Sequence, residues 1–103
     1  MVKNSFNKEL LQKIDPITTR KYANLLGWKK IDKEFEKYML LSNSAYPEEQ
    51  LLIPLNSNLA DYHIRIRELI EVLSSAIGKT QEEILNDLIE ELQAKLKTKS
   101  KVR

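Results

Sequence analysis

The side chains that could do chemistry are few, and the only histidine stands among them in "ADYHIRIREL", residues 60–69. Imidazole titrates near neutrality, which makes His63 the sole candidate for general acid–base work at that pH. Such catalysis also requires a nucleophile or an orienting carboxylate within reach. On a helix the residue one turn on is Arg67, a cation that disfavours the imidazolium and offers no base. His63 is therefore expected to be a surface histidine on a polar helical face. The absence of cysteine excludes thiolate nucleophiles and thiolate metal sites. A transition-metal site would need mostly carboxylates, and none cluster suitably. "GKT" at 78–80 has the form of the end of a phosphate-binding loop, but that loop needs a glycine where Leu73 stands. A helix stop followed by a helix cap explains it better. No catalytic residue, cofactor or metal is expected.

Two charged sets could instead hold a partner. Arg20, Lys21, Lys29, Lys30, Lys33 and Lys37 surround Trp28 and Tyr38, and cations among aromatic faces can grip phosphates and stack bases, or meet an acidic protein. Asp32, Glu34 and Glu36 are interleaved and would repel the same phosphates. Glu82, Glu83, Asp87, Glu90 and Glu91 fall on the outer face of the last predicted helix, either as its solvated side or as a contact for a basic partner. The net charge of +2 conceals this unevenness. Residues 1–40 are basic and 41–94 strongly acidic, while the final "KLKTKSKVR" carries five cations and no anion.

The elements that must position these groups are legible from periodicity and punctuation. A length of 103 residues with 42% hydrophobic content predicts one small domain with one core. "NSFNKELLQKID" puts Phe6, Leu10, Leu11 and Ile14 on one helical face, with Asn4 or Ser5 as cap and Pro16 as stop. "TTRKYANLLGW" reads as a second helix capped by Thr18 or Thr19, its stripe made by Tyr22, Leu25 and Leu26, and closed by Gly27. Trp28–Ile31, "FEKYMLL" and "QLLIPL" read as strands, the last limited by Pro54. Trp28 is expected to anchor the core between helix and sheet.

Residues 60–69 then face two periods. As a strand, Ile64 and Ile66 point inward and His63, Arg65 and Arg67 outward. As a helix from Asp61, a stripe of Tyr62, Ile66, Leu69, Ile70, Leu73, Ala76 and Ile77 runs on without a gap. The helix accounts for far more of the chain, so 61–77 is predicted helical, with Arg67 placed to pair with Glu71. Gly78 closes it, and Thr80 with Glu83 forms a capping box for a last helix striped by Ile84, Leu85, Leu88, Ile89, Leu92 and Leu96.

The order helix, "GW", strand, turn, strand ending in "IPL", over roughly residues 18–56, resembles the HicA-type toxin domain. That resemblance implies a small double-stranded-RNA-binding-like fold, with Gly27, Trp28, Met39 and Ile53-Pro54 as matching elements. The family's catalytic histidine begins the central strand after a glycine, where this chain has Phe35, Glu36, Lys37 and Tyr38. The resemblance thus implies an RNA-binding outline without the nuclease chemistry. "HIRIRELIEVLSSAIGKTQEEILNDLIEEL" also resembles ribbon–helix–helix DNA-binding proteins, which would make His63, Arg65 and Arg67 base-reading side chains.

The expected architecture is α+β: N-terminal helices, a small antiparallel sheet of two or three strands, and two C-terminal helices packed across it. It divides into an N-terminal helix at 1–15, a helix–strand–strand unit at 17–56, a helix pair at 61–94 and a basic tail at 95–103. The expected role is that of a non-enzymatic adaptor or accessory subunit with a protein partner. Nucleic-acid binding is the alternative, and a second copy of the chain is a further candidate partner. No small-molecule substrate is expected. The N-terminal stretch is too polar for a secretory signal and no apolar run approaches a membrane span, so a cytoplasmic protein is expected.

Overall fold

The computed structural model describes residues 7–101, with the backbone alone at 32–34 and 97–101. Asn7 opens the first helix, α1 (Lys8–Lys13), its Oδ1 accepting from the Leu10 N–H at 2.8 Å. The expected caps Asn4 and Ser5, and Phe6, lie outside the described residues. Pro16 does not merely stop α1; it is the first residue of α2 (Pro16–Leu25), where its missing N–H costs nothing and its fixed φ suits a helix. That shifts the cap from Thr18 or Thr19 to Asp15, whose Oδ1 accepts from the Thr18 N–H at 2.7 Å. Thr18 and Thr19 are instead buried inside the helix.

Gly27 leaves α2 in the left-handed region, φ +96°, as a residue without Cβ can. The chain then enters a sheet of order β1-β2-β3, all antiparallel. The strands are β1 (Lys29–Glu34), β2 (Tyr38–Ser42) and β3 (Gln50–Pro54). Thus β1 starts one residue later than expected, and Phe35, Glu36 and Lys37 form the hairpin turn rather than strand. Pro54 ends its strand as expected. Trp28 is fully buried at the helix–sheet junction, its ring stacked on Tyr46 at 6.1 Å between centroids.

Residues 61–77 take the helical alternative. In α3 (Tyr62–Ile77), Tyr62, Ile66, Leu69, Ile70 and Leu73 are buried, and Gly78 closes the helix at φ +79°. Asp61 occupies the cap position without making a cap bond; its Oδ2 instead accepts from Arg65 Nε at 3.0 Å. The capping box forms in both directions: Thr80 N–H donates to Glu83 Oε1 at 2.9 Å, and Glu83 N–H to Thr80 Oγ1 at 3.1 Å. The final helix, α4 (Gln81–Lys101), continues through residues expected as a tail.

The fold is α+β, with four helices, a three-stranded antiparallel sheet, and the C-terminal helices packed across it through α3 against β3. Contacts of α1 with α3, of α2 with α4 and of α3 with α4 close one continuous core. No helix among the described residues is long and apolar enough to cross a membrane.

Candidate interaction surface

Side chains that looked available in sequence are largely engaged within the fold. Arg65 is held on three sides: Nε lies 3.0 Å from Asp61, Nη1 lies 3.0 Å from Glu68, and the guanidinium stacks 5.7 Å from the Tyr38 ring centroid. Arg67 lies 3.9 Å from Glu71 one turn on, the expected pair. His63 is half-buried rather than fully on the polar surface, and its Nδ1 is enclosed without a hydrogen-bond partner. All three project from one helix, so the alternation that a reading strand needs is not formed.

The acidic set divides between internal bonds and solvent. Glu83 is spent on the capping box. Asp87 Oδ2 accepts from Tyr22 Oη at 2.7 Å and from Lys79 Nζ at 2.7 Å, tying α4 to α2 and to the α3–α4 loop. Burial alone would raise the Asp87 carboxyl, but hydrogen bonds from Lys79 and Tyr22 outweigh it and hold the group below its usual range. Burial, with Asp87 and Glu91 nearby, pushes the Tyr22 phenol up. Glu91 stands 3.7 Å from Lys21. Of the five acids, Glu82 and Glu90 remain exposed on α4 together with Glu83.

Nor does the basic set form one surface. Lys29 and Lys30 pair with Ser42 and Leu41 at one end of the β1–β2 ladder, whereas Lys37 sits in the turn at the other end. The side chain of Lys33 is outside the described set. What the fold does assemble is Arg20 and Lys21 on the outer face of α2, with Lys37 beyond Leu55, whose N–H donates to the Lys37 carbonyl at 2.9 Å.

That outer face holds a feature not apparent from the sequence stripe. Ile17, Arg20, Lys21, Asn24 and Leu25 are all exposed, at the spacing of one helical face, while Thr18, Thr19, Tyr22 and Ala23 are buried on the other. Leu25, expected in the core, is 66% exposed, and Ile17 is 68% exposed. The two sit about two turns apart, roughly 12 Å along the helix. Concavities flank Ile17 on both sides. One of about 280 Å³ lies toward α4, bordered by Thr18, Lys21, Glu91 and Lys95. The other, of about 160 Å³, lies toward the sheet, floored by Met39, Ile53 and Leu55 with Arg20 on its wall.

Sequence reasoning missed this face because it started the helix at Thr18. Starting at Pro16, the repeat Ile17, Arg20/Lys21, Asn24/Leu25 would have stood out as a mixed apolar and cationic stripe opposite the threonines.

Below α2 the surface is firmly braced. Asp15 caps the helix and also receives a hydrogen bond from Lys95 Nζ of α4. Burial would raise its carboxyl, but Lys95 and Thr18 outweigh it and hold the group below the usual range. Tyr62 Oη of α3 donates to the neighbouring Ile14 carbonyl. This junction fixes where the stripe begins.

Compared with known proteins, the chain matches no family model, no curated protein and no solved structure.

Proposed function

We propose that this protein is a non-enzymatic interaction module, an adaptor or accessory subunit that binds a protein partner through the outer face of α2. The observation that carries the reading is the pair Ile17 and Leu25, both about two-thirds exposed on one helical face. Single exposed aliphatics are ordinary. Two on one face, with apolar concavities beside the first, resemble the anchor positions of a docking surface, where a few side chains carry most of the binding energy. The internal engagement of Arg65 and Asp87 further supports this face over the other candidates.

A nucleic-acid-binding module remains the competing reading. It rests on the resemblance of residues 18–56 to the HicA-type toxin domain. The scattered cations disfavour it, since phosphate tracking needs them on one continuous path. For either reading a bacterial toxin–antitoxin or defence operon, which the HicA-like outline suits, is the proposed setting, and the cytoplasm is the proposed compartment.

Pull-down with tagged protein after nuclease treatment separates the two readings. We expect a stoichiometric protein partner that is lost on Ile17→Asp or Leu25→Asp, with the melting temperature of each variant unchanged. Recovery of nucleic acid alone, lost steeply with salt, would reverse the order of the readings. A partner retained by both variants would remove α2 as the site.

A further inference from the structure

Resting on the reading of α2 as a protein-binding face, we infer that its occupant is an acidic amphipathic helix of another protein. This helix carries two apolar side chains about two turns apart, with carboxylates between them. The stripe on α2 sets that pattern. Ile17 and Leu25 mark its ends, and Arg20 and Lys21 stand between. Among the described residues nothing pairs with Arg20. The Lys21 ammonium is 3.7 Å from Glu91 with 60% of its side chain exposed, a loose pair for which an incoming carboxylate competes.

A helix suits the relief of the surface, because the Ile17 ridge lies between two hollows and a helical partner presents ridges of its own to fill them. The hollows are large enough for one aliphatic side chain each. A second copy of the chain fits poorly. Antiparallel pairing of two α2 helices would seat Ile17 on Leu25 of the other copy but press Lys21 against Lys21. Nucleic acid fits poorly as well, because the stripe carries no aromatic ring on which a base could stack.

The probe is a fluorescein-labelled helical peptide of roughly 18 residues, long enough to hold helix on binding. It has leucines two turns apart and glutamates between them, and its control carries lysines in place of the glutamates. Fluorescence anisotropy with the full chain should show the acidic probe binding about tenfold more tightly than the control. That preference should shrink as salt rises and invert in Arg20→Glu/Lys21→Glu. Ile17→Ser, which removes the apolar anchor without adding charge, should weaken both probes alike. Circular dichroism of each variant, and the milder Arg20→Ala, guard against a folding defect. Equal binding of the two probes, preference for the lysine probe, or no binding of the acidic probe would each overturn the inference. If the acidic probe fails while Ile17→Asp still strips a stoichiometric partner from the pull-down, the docking face stands and only its partner chemistry falls. If Ile17→Asp keeps the partner as well, both fall.

Discussion

Asp15 and Asp87 are acceptors that each serve two helices, and their titration makes stability depend on pH in a defined direction. Asp15 accepts from Thr18 and Lys95, and Asp87 from Tyr22 and Lys79. Both carboxyls sit below the ordinary value in the folded state. A depressed folded pKa contributes stability that is fully present above the unfolded value, about 3.9, and is lost as pH falls through the folded value. Urea midpoints should therefore decline from about pH 5 toward pH 2. Asp87→Asn should lower the midpoint at neutral pH and give a shallower acid limb; an unchanged limb would show that Asp87 does not contribute. Asp15→Ala loses a helix cap as well as an acceptor for Lys95, and should cost about 1–2 kcal/mol by chemical denaturation. His63 illustrates the limit of residue-level reading: its type suggested chemistry and its helical position suggested a bystander. Neither indicated that Nδ1 would be enclosed without a partner, since that follows from neighbours brought in by the fold.

At the level of elements, the two glycines permit a controlled comparison. Both have positive φ, so alanine at either is strained by about 1 kcal/mol. A Cβ at Gly78 would meet nothing within 4 Å, whereas one at Gly27 would press on Asn43 Nδ2 at 3.3 Å. That amide donates to the Leu26 carbonyl at 3.1 Å. Gly27→Ala should therefore destabilise more than Gly78→Ala, by roughly a further 1 kcal/mol if the bond is lost. Equal melting temperatures would refute this. The same elements show what sequence patterns carry. The end of α3 at Gly78 and the Thr80–Glu83 box were legible because each is decided by residues within one turn. The stripe of α3 was legible because it repeats long enough to outweigh the short alternation at 63–67. The start of α2 was misread because Asp15-Pro16 out-competes Thr18 as a start signal. Leu25 was misassigned because α4 packs against α2 through Tyr22 instead. Which face a short helix buries depends on a partner element distant in sequence, and no local period encodes that.

For the molecule as a whole, the helices are held in register by long-range polar contacts rather than by the apolar core alone. Lys95→Met removes the link from α4 to Asp15 while keeping side-chain length, and should lower the melting temperature by a few degrees, about 1 kcal/mol for a partly buried charge-assisted bond. An unaltered melting temperature would mean that the helix beyond residue 94 does not brace the fold. The architecture class was readable from the order of periods along the chain. The exposed stripe of α2 was not, because exposure is a property of the assembled whole. The clasp on Ile14 and Asp15 also bears on synthesis. Its donors, Tyr62 and Lys95, lie 48 and 80 residues downstream, and ribosomes add roughly 5–20 residues per second. For on the order of 4–16 s after Asp15 is made, α2 lacks its α4 partner, and Tyr22 must wait uncovered by that helix beside Ile17 and Leu25, although α1 meets α3 sooner. The nascent chain is at its stickiest before its last helix arrives, and any holdase or cognate subunit acting during translation would meet both faces of α2 at once.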